Sequence, residues 1–532
     1  MHVEHIHRRE TFFHNDFLEA YYFSDRLNHL RTYTPSISEI EQAIHAKFNF
    51  SGERRAILVA DLFKQYQDAE IDLPENSLVL KNIKSIELEN TFTITTGQQI
   101  HVGLGPLYVF YKIMDVLAIV AECKELHPNY NFVPVFWMAT EDHDLQEIQS
   151  VNVYNQSFTW DTTQTGAVGR MNTAGISELF DELKTKMNLS EAQLRFIEAS
   201  QMAYGQSSNL SSAFRTLLHT YFSEQGLVII DADSENLKKE FIPVLKDELK
   251  GLNYESLLIS TLALEKEGFQ RQLVIRECNL FKLGEHQREK HNVMNDEEDV
   301  LDQYVKQNVF NLSPNAALRP LYQEWILPNL VYVGGASEVN YWTQLKGLFD
   351  NYEIPVPIVH LRTSNIIIPE QLLHESTDVD VTDFFKSDQS LISTVNKEQD
   401  KLFHTMRQNF EDLKNHVYAH QKLVENNLTG FNLDAKVSKM IEKLDEINAL
   451  TEKQLVSQSA MNPALNKLLK TKKKYFNPAH VQERKEDVVT FIDTFEQHIL
   501  KNGLHEWANR TERGGHTDFI LEALKNQHGV LS

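Results

Sequence analysis

Residues 91–138 constrain the fold more tightly than any other stretch. "TFTITT" (91–96) is a short β-rich run that enters "GQQIHVGLGPLY" (97–108), a segment with three glycines and a proline. A long apolar helix follows, with Pro106 at its first turn and Leu107, Phe110, Met114, Leu117 and Ala121 on one stripe. "NFVPVFWMAT" (131–140) is a second buried-strand pattern. Strand, glycine-rich turn, helix, strand is a βαβ unit, because a helical crossover returns the chain parallel to its first strand. The chain is therefore expected to be α/β with a parallel sheet. Further strands are expected within 226–233, 271–283, 329–335 and 355–368.

Around that unit the texture varies. The first 90 residues have helical spacing. Residues 155–225 lack strong strands and form a mainly helical insertion, and further connective segments lie near 235–315. Past residue 375, Phe403, Met406, Phe410, Leu413, Val417, His420 and Val424 alternate by three and four, a heptad seam. A turn containing Gly430, then Asp434 as an N-cap, leads into a second stripe of Val437, Met440, Leu444 and Ile447. Two such helices make an antiparallel coiled-coil hairpin of roughly 50 Å, too thin to bury much on itself, so homodimerisation through it is expected. The expected layout is a core over 1–375, the hairpin over 376–475, and a segment over 476–532 that returns to the core.

Charge and cysteine usage narrow the function. The formal net charge is −23, which argues against a nucleic-acid partner but allows a small anion in a local basic pocket. No apolar run approaches 18 residues, so no membrane span is expected, and the polar start "MHVEHIHRRE" carries no secretory signal. Cys123 and Cys278, both in apolar contexts, read as buried thiols of a reducing cytoplasm.

In an open α/β sheet, ligands lie beyond the carboxyl ends of the strands. The first strand delivers Thr96, Gly97, Gln98 and Gln99 to that edge. Gly103 and Gly105 would bring backbone amides near a ligand, and Pro106 begins a helix whose positive end favours an anion. The second strand delivers Glu141, Asp142, His143 and Asp144, costly after so apolar a run unless solvated, paired or used. These four could hold a divalent metal, act as a general base, or grip an amine. A third strand–glycine–helix step places Gly334 and Gly335 before Ser337, read as the helix cap, and Glu338. Arg319 and Arg362 are candidate anion clamps or, equally, structural ion-pair partners. "KVSKM" (436–440) falls on the hairpin stripe, and "KTKKKY" (470–475) reads as a solvated helix end.

Five motifs occur in order: "TTGQQ…GPLY…K" (95–112), "PVFWMATEDHD" (134–144), "LRPLYQEWILPNLVYVGGASEVNYW" (318–342), "PVPIVHLR" (355–362) and "QER" (482–484). Together they resemble the BshC family, to which the cysteine-adding step of bacillithiol biosynthesis is ascribed. The resemblance implies a Rossmann-like core related to class I aminoacyl-tRNA synthetases, and a coiled-coil arm that mediates dimerisation. It implies cysteine and glucosaminyl-malate as substrates. It places Thr96–Gln99, Gly105, Pro106, Tyr108, Lys112, Glu141–Asp144 and the run from Gly334 through Tyr341 to Trp342 around the active site. Arg484 falls in a tail where a nucleotide would lie. "HVGL" (101–104) echoes a synthetase motif, but the family generally lacks that histidine, so His101 inherits no role.

Joining a carboxylate to an amine needs activation, for which ATP is the expected source, with ADP as product and Mg as a possible companion. Glu141, His143 or Asp144 would deprotonate the amine. The competing readings are a nucleotidyl transferase and a non-catalytic assembly protein built on the coiled coil.

Overall fold

The structure, a computed structural model, describes residues 3–369, 379–428, 432–496 and 519–524. The chain divides into two compact units. One comprises residues 13–364 and 482–519; the other comprises 1–12, 365–481 and 520–532. The division thus falls at Asn365, earlier than the expected 375. The second unit also takes in the N-terminal dozen residues, and the tail rejoins the first unit at Gln482.

The first unit is built on a five-stranded sheet: β1 (Thr91–Gln98), β2 (Asn131–Met138), β3 (Val228–Asp231), β4 (Asn329–Gly334) and β5 (Ile358–Leu361). Its spatial order is β5-β4-β1-β2-β3, and every pairing is parallel. Helix α1 (Leu107–Leu126) is the crossover from β1 to β2, and α2 (Ala336–Thr343) follows β4. The βαβ expectation is met, and the order is that of a Rossmann-like sheet.

Both faces of the sheet are covered, as parallel sheets require. Phe92, Ile94, Val331, Val333 and Ile358 pack on Val116, Ile119, Val120 and Cys123 of α1. The opposite face sets Val133, Val135, Trp137, Ile230, Tyr332 and Leu361 against helices from residues 52–85 and 235–266. Helix α1 is buried nearly all round, so the expected single stripe understates it. The threonines of β1 tolerate full burial because their hydroxyls are bonded. Thr93 and Thr95 donate to Asn329 Oδ1 (3.2 and 2.8 Å), and Thr96 donates to the Val333 carbonyl (2.7 Å). These bonds stitch β1 to β4.

Two strand expectations change. In 271–283 only Leu280–Leu283 is a strand. It pairs antiparallel with Arg288–Lys290 and Leu312–Pro314 in a separate small sheet. The run 355–368 splits after β5, and Asn365–Pro369 joins a different sheet in the second unit. The insertion is helical, as expected, after an antiparallel hairpin over 150–159.

The second unit contains α3 (Lys397–Asn427) and α4 (Asp434–Ser459). Lys414–Asp445 (2.6 Å) and Arg407–Glu452 (3.3 Å) pair them antiparallel. At 31 residues, α3 spans ~46 Å. The helices differ from the heptad expectation. Met406, Phe410, Lys414, Val417, Gln421 and Val424 are half-buried on the inner face, while Leu413 and His420 are exposed. On α4, Ile441 and Asn448 turn inward instead of Met440 and Ile447. Both helices keep a seven-residue repeat (410/417/424 and 414/421; 437/444 and 441/448), with one of its two inward positions a residue later than expected. Asp434 is the first helical residue, not the cap, which is Leu433. Gly430 lies outside the described residues, as do 497–518 and 525–532 of the tail.

Candidate active site

The chain leaves β1 toward β2 and leaves β4 toward β5. The crossovers therefore diverge between β1 and β4, and a crevice opens beyond their carboxyl ends. A cleft of about 880 Å³ occupies that position. Every core strand reaches it: Gly97–Gln99 at the end of β1, Ala139–Asp142 after β2, Ala232 and Asp233 after β3, Gly335–Glu338 after β4 and Arg362 after β5. Pro106, Tyr108 and Lys112 of the α1 region, Tyr341 of α2, Arg319 and Arg484 complete the part foreseen from sequence.

Lys112 closes the crevice at its base. Its buried ammonium pairs with Glu338 and donates to the Gly97 carbonyl (3.1 Å) and Gln98 Oε1 (2.9 Å). Burial pulls this ammonium below its ordinary range. Burial would push Glu338 up, but Lys112, the Gly335 amide (2.8 Å) and the Tyr332 hydroxyl (2.6 Å) outweigh it and keep the carboxylate ionised. One lysine thus fastens the ends of β1 and β4 together. Gly334 permits this approach, since a Cβ there would stand 3.0 Å from Glu338 Cβ.

The motifs after β1 and β2 meet directly. The Gln99 side-chain amide donates to Asp142 Oδ2 and Glu147 Oε2, both at 2.7 Å. Asp142 also pairs with Arg288 (3.2 Å). Gln99, Arg288 and the His143 amide hold its carboxyl below the usual range against the upward push of burial. Glu141 faces Lys238 (2.6 Å), which also pairs with Asp233 (2.9 Å). Burial raises the Glu141 carboxyl, against the pull of Lys238.

Arg319 is bracketed by the rings of Trp137 (5.9 Å) and Tyr332 (5.6 Å). It donates only to neutral partners, Gln323 Oε1 (3.1 Å) and the Tyr341 hydroxyl (3.3 Å). Among the described residues it has no carboxylate partner. Arg362, by contrast, makes a two-pronged buried pair with Glu483 (2.9 and 2.6 Å), beneath the Tyr108 ring.

Six expected residues stand outside the lining. Thr96 is spent on the β1–β4 stitch, Gly334 lies under Glu338, and Trp342 packs on Tyr332 and Phe349. His143 and Asp144 are exposed beyond the cleft wall, where the His143 ring lies against Phe281 at 6.2 Å. Gly105 serves the turn instead of a ligand. Gly103, Leu104 and Gly105 take φ of 69°, 67° and 74°, and the Gly103 amide goes to the Tyr204 hydroxyl (3.0 Å). The first amide of α1, Leu107, donates to the Glu486 carbonyl (3.0 Å), so this helix end is occupied by the tail. Ser337 does not cap α2: the N-cap is Gly335 and Ser337 sits exposed in the first turn.

Sequence reasoning missed Glu147, Arg276, Phe281 and Arg288 at the cleft wall, and Lys238 behind it. Arg276 and Phe281 come from the segment 271–283 expected as a strand, Arg288 comes from the strand paired with it, and Glu147 stands three residues beyond the motif. His101, buried beside Gly105, also lines the cleft. Burial lowers its pKa to about 4, against a hydrogen bond with the Glu147 backbone, so the ring is neutral. Among the described residues no group of three or more His, Cys, Asp or Glu side chains is arranged to hold a metal.

The family model for bacillithiol biosynthesis BshC, N-terminal Rossmann-like domain, matches residues 1–363. The chain belongs to the BshC family. A relative from Flavobacterium psychrophilum, named "Putative cysteine ligase BshC", is 35% identical over 480 residues, 86% of this chain and 88% of its own. Relatives of the same name from Cytophaga hutchinsonii and Staphylococcus aureus are 32% and 27% identical. They cover 90% and 63% of this chain, and 91% and 68% of their own. The Rossmann-like domain of the BshC model thus spans the five strands whose ends form the cleft. No helix among the described residues is long and apolar enough to cross a membrane.

Proposed function

We propose that this protein is a cysteine ligase, joining the carboxyl group of cysteine to the amine of glucosaminyl-malate as an amide. The observation that carries this reading is the cleft's unbalanced charge. Arg276, Arg319 and Arg484 line it without a carboxylate partner among the described residues, and Glu147 lines it without a basic one. Three open cations and one open carboxylate complement substrates that bring several anionic groups and an amine. Arg319 is the most telling, because a guanidinium held between two rings with no carboxylate in hydrogen-bond contact is poised for an incoming anion. The names of the relatives agree with this chemistry.

ATP would supply the activation of the carboxylate, with magnesium arriving on its phosphates, and the open arginines suit such anionic groups. The protein's own part is to bind, orient and exclude water at the switch point. The test is to incubate the purified chain with cysteine, glucosaminyl-malate and ATP and to follow the thiol product by mass spectrometry. ADP or AMP in the same samples identifies the activation route. A folded protein that forms no amide would sink the reading.

Dimerisation through the hairpin belongs to the same proposal. Leu413, Met440, Ile447 and Leu450 are 50–66% exposed on its outward faces, and a second copy would cover them. Mass photometry of the intact chain and of a variant with these four replaced by glutamate should give dimer and monomer; two equal masses would refute it.

A further inference from the structure

Glu147 and Asp142 share a single donor. The Gln99 amide nitrogen stands 2.7 Å from an oxygen of each, so those two oxygens lie within 5.4 Å of one another. Arg288 pairs with Asp142 (3.2 Å), and no cation pairs with Glu147 among the described residues. Two carboxylates at this spacing, fixed by one amide and half neutralised, form a receptor for one further positive charge with several N–H donors.

We infer that Glu147 and Asp142 hold the substrate's amine as its ammonium, and that Glu147 takes the proton that must leave before the nitrogen can attack. The inference rests on the ligase reading and assigns its amine subsite. The other acids of this region are already committed. Glu141 faces Lys238, Glu338 faces Lys112, and His143 and Asp144 are exposed outside the lining. Glu147 is also well placed mechanically. It sits on the short helix Leu145–Ile148, directly after the β2 motif. The charged and titratable groups around it are Asp142, Arg288, His143 (Nδ1 3.4 Å from Asp142), His101 and Tyr108.

The step balances as follows. One proton passes from the ammonium to the Glu147 carboxylate, freeing the nitrogen lone pair. The C–N bond forms at the activated cysteine carbonyl, and the C–O bond to the activating phosphoryl group breaks with its electrons on that oxygen. The second amine proton departs to water. A positioned base of this kind contributes roughly 10² to 10⁴ in rate.

The experiment uses the full chain as wild type, Glu147→Gln and Glu147→Asp, with folding checked by circular dichroism. Calorimetry compares glucosaminyl-malate with its N-acetyl form, which has no basic amine. Wild type should bind the free amine at least ~10-fold more tightly, and Glu147→Gln should lose that preference. Turnover of Glu147→Gln should fall ~100-fold with the cysteine KM within about twofold, and should recover as rising pH frees the amine. Glu147→Asp, which keeps the charge on a shorter arm, should be intermediate. A Glu147→Gln protein that keeps both the preference and a rate within about threefold of wild type would overturn the inference while leaving the ligase reading intact. So would a variant that loses only the binding of magnesium chloride titrated alone. Wild type forming no amide and showing no preference would overturn both.

Discussion

Arg362 and Glu483 offer the sharpest test of how the tail is held to the core unit. Both side chains are buried, 7% and 1% exposed, and their oxygens and nitrogens meet at 2.9 and 2.6 Å. Replacing Glu483 with Gln takes the paired carboxylate away from a buried guanidinium whose other acceptors include the Thr363 carbonyl and Ser364 Oγ. Breaking one side of such a pair costs about 3–5 kcal/mol, and these remaining acceptors favour the lower end. A loss of ~3 kcal/mol opens the segment roughly 10² times more often. Because the chain has two units, a single unfolding midpoint is a poor readout. Hydrogen–deuterium exchange of a peptide within 482–496 reports the local opening instead. Glu483→Gln should accelerate its exchange by about 10², and the double variant Arg362→Met with Glu483→Met should restore most of the protection, since it removes both charges together. Exchange in Glu483→Gln within about threefold of wild type would refute the reasoning, as would a double variant opening as the sum of its parts.

Arg319→Met should separate binding from stability. With no ion pair to break, the fold should lose little, while loss of a charged hydrogen bond of about 1.5–3 kcal/mol raises the KM for a carboxylate substrate ~10- to 100-fold, measured by initial rates beside urea unfolding. His101 predicts a pH dependence. Its pKa is lowered to about 4 in the fold and is near 6.5 unfolded, so the unfolded state binds more protons between those values. Stability is fully present above pH 6.5 and falls by up to about 3 kcal/mol as pH drops to 4; urea titrations of wild type and His101→Asn should converge at low pH if this holds. Gly105→Ala should destabilise by about 1–3 kcal/mol in the same assay, because φ is 74° and a Cβ would stand 2.5 Å from that of His101.

Much of the site was legible because strand, glycine turn and helix are local patterns. "TFTITTGQQ" and "NFVPVFWMATED" had to end at one sheet edge, and Gln99 and Asp142 do meet there. What failed shares a cause. "VIRECNLFKL" has strand chemistry, but nothing local chooses which sheet takes it, and it became the cleft wall through Phe281. His143 and Asp144 follow the same strand as Asp142, yet they stand outside the cleft lining, while Glu147 on the short helix Leu145–Ile148, itself exposed, is part of it. On the hairpin, spacing foresaw two antiparallel helices but not which of Leu413 and Lys414 faces inward, a difference of one helical step.

The sequence by itself determined the parallel sheet, the crossover helix, the hairpin and the residue types at the strand ends, because these depend on periodicity and neighbouring residues. The tertiary structure alone decided which charges cancel. Lys112 meets Glu338, Lys238 meets Glu141 and Arg362 meets Glu483 across 226, 97 and 121 positions of chain. Those pairings leave Arg319 and Glu147 open. Charge compensation depends on distance and burial in space, which residue spacing along a chain does not encode.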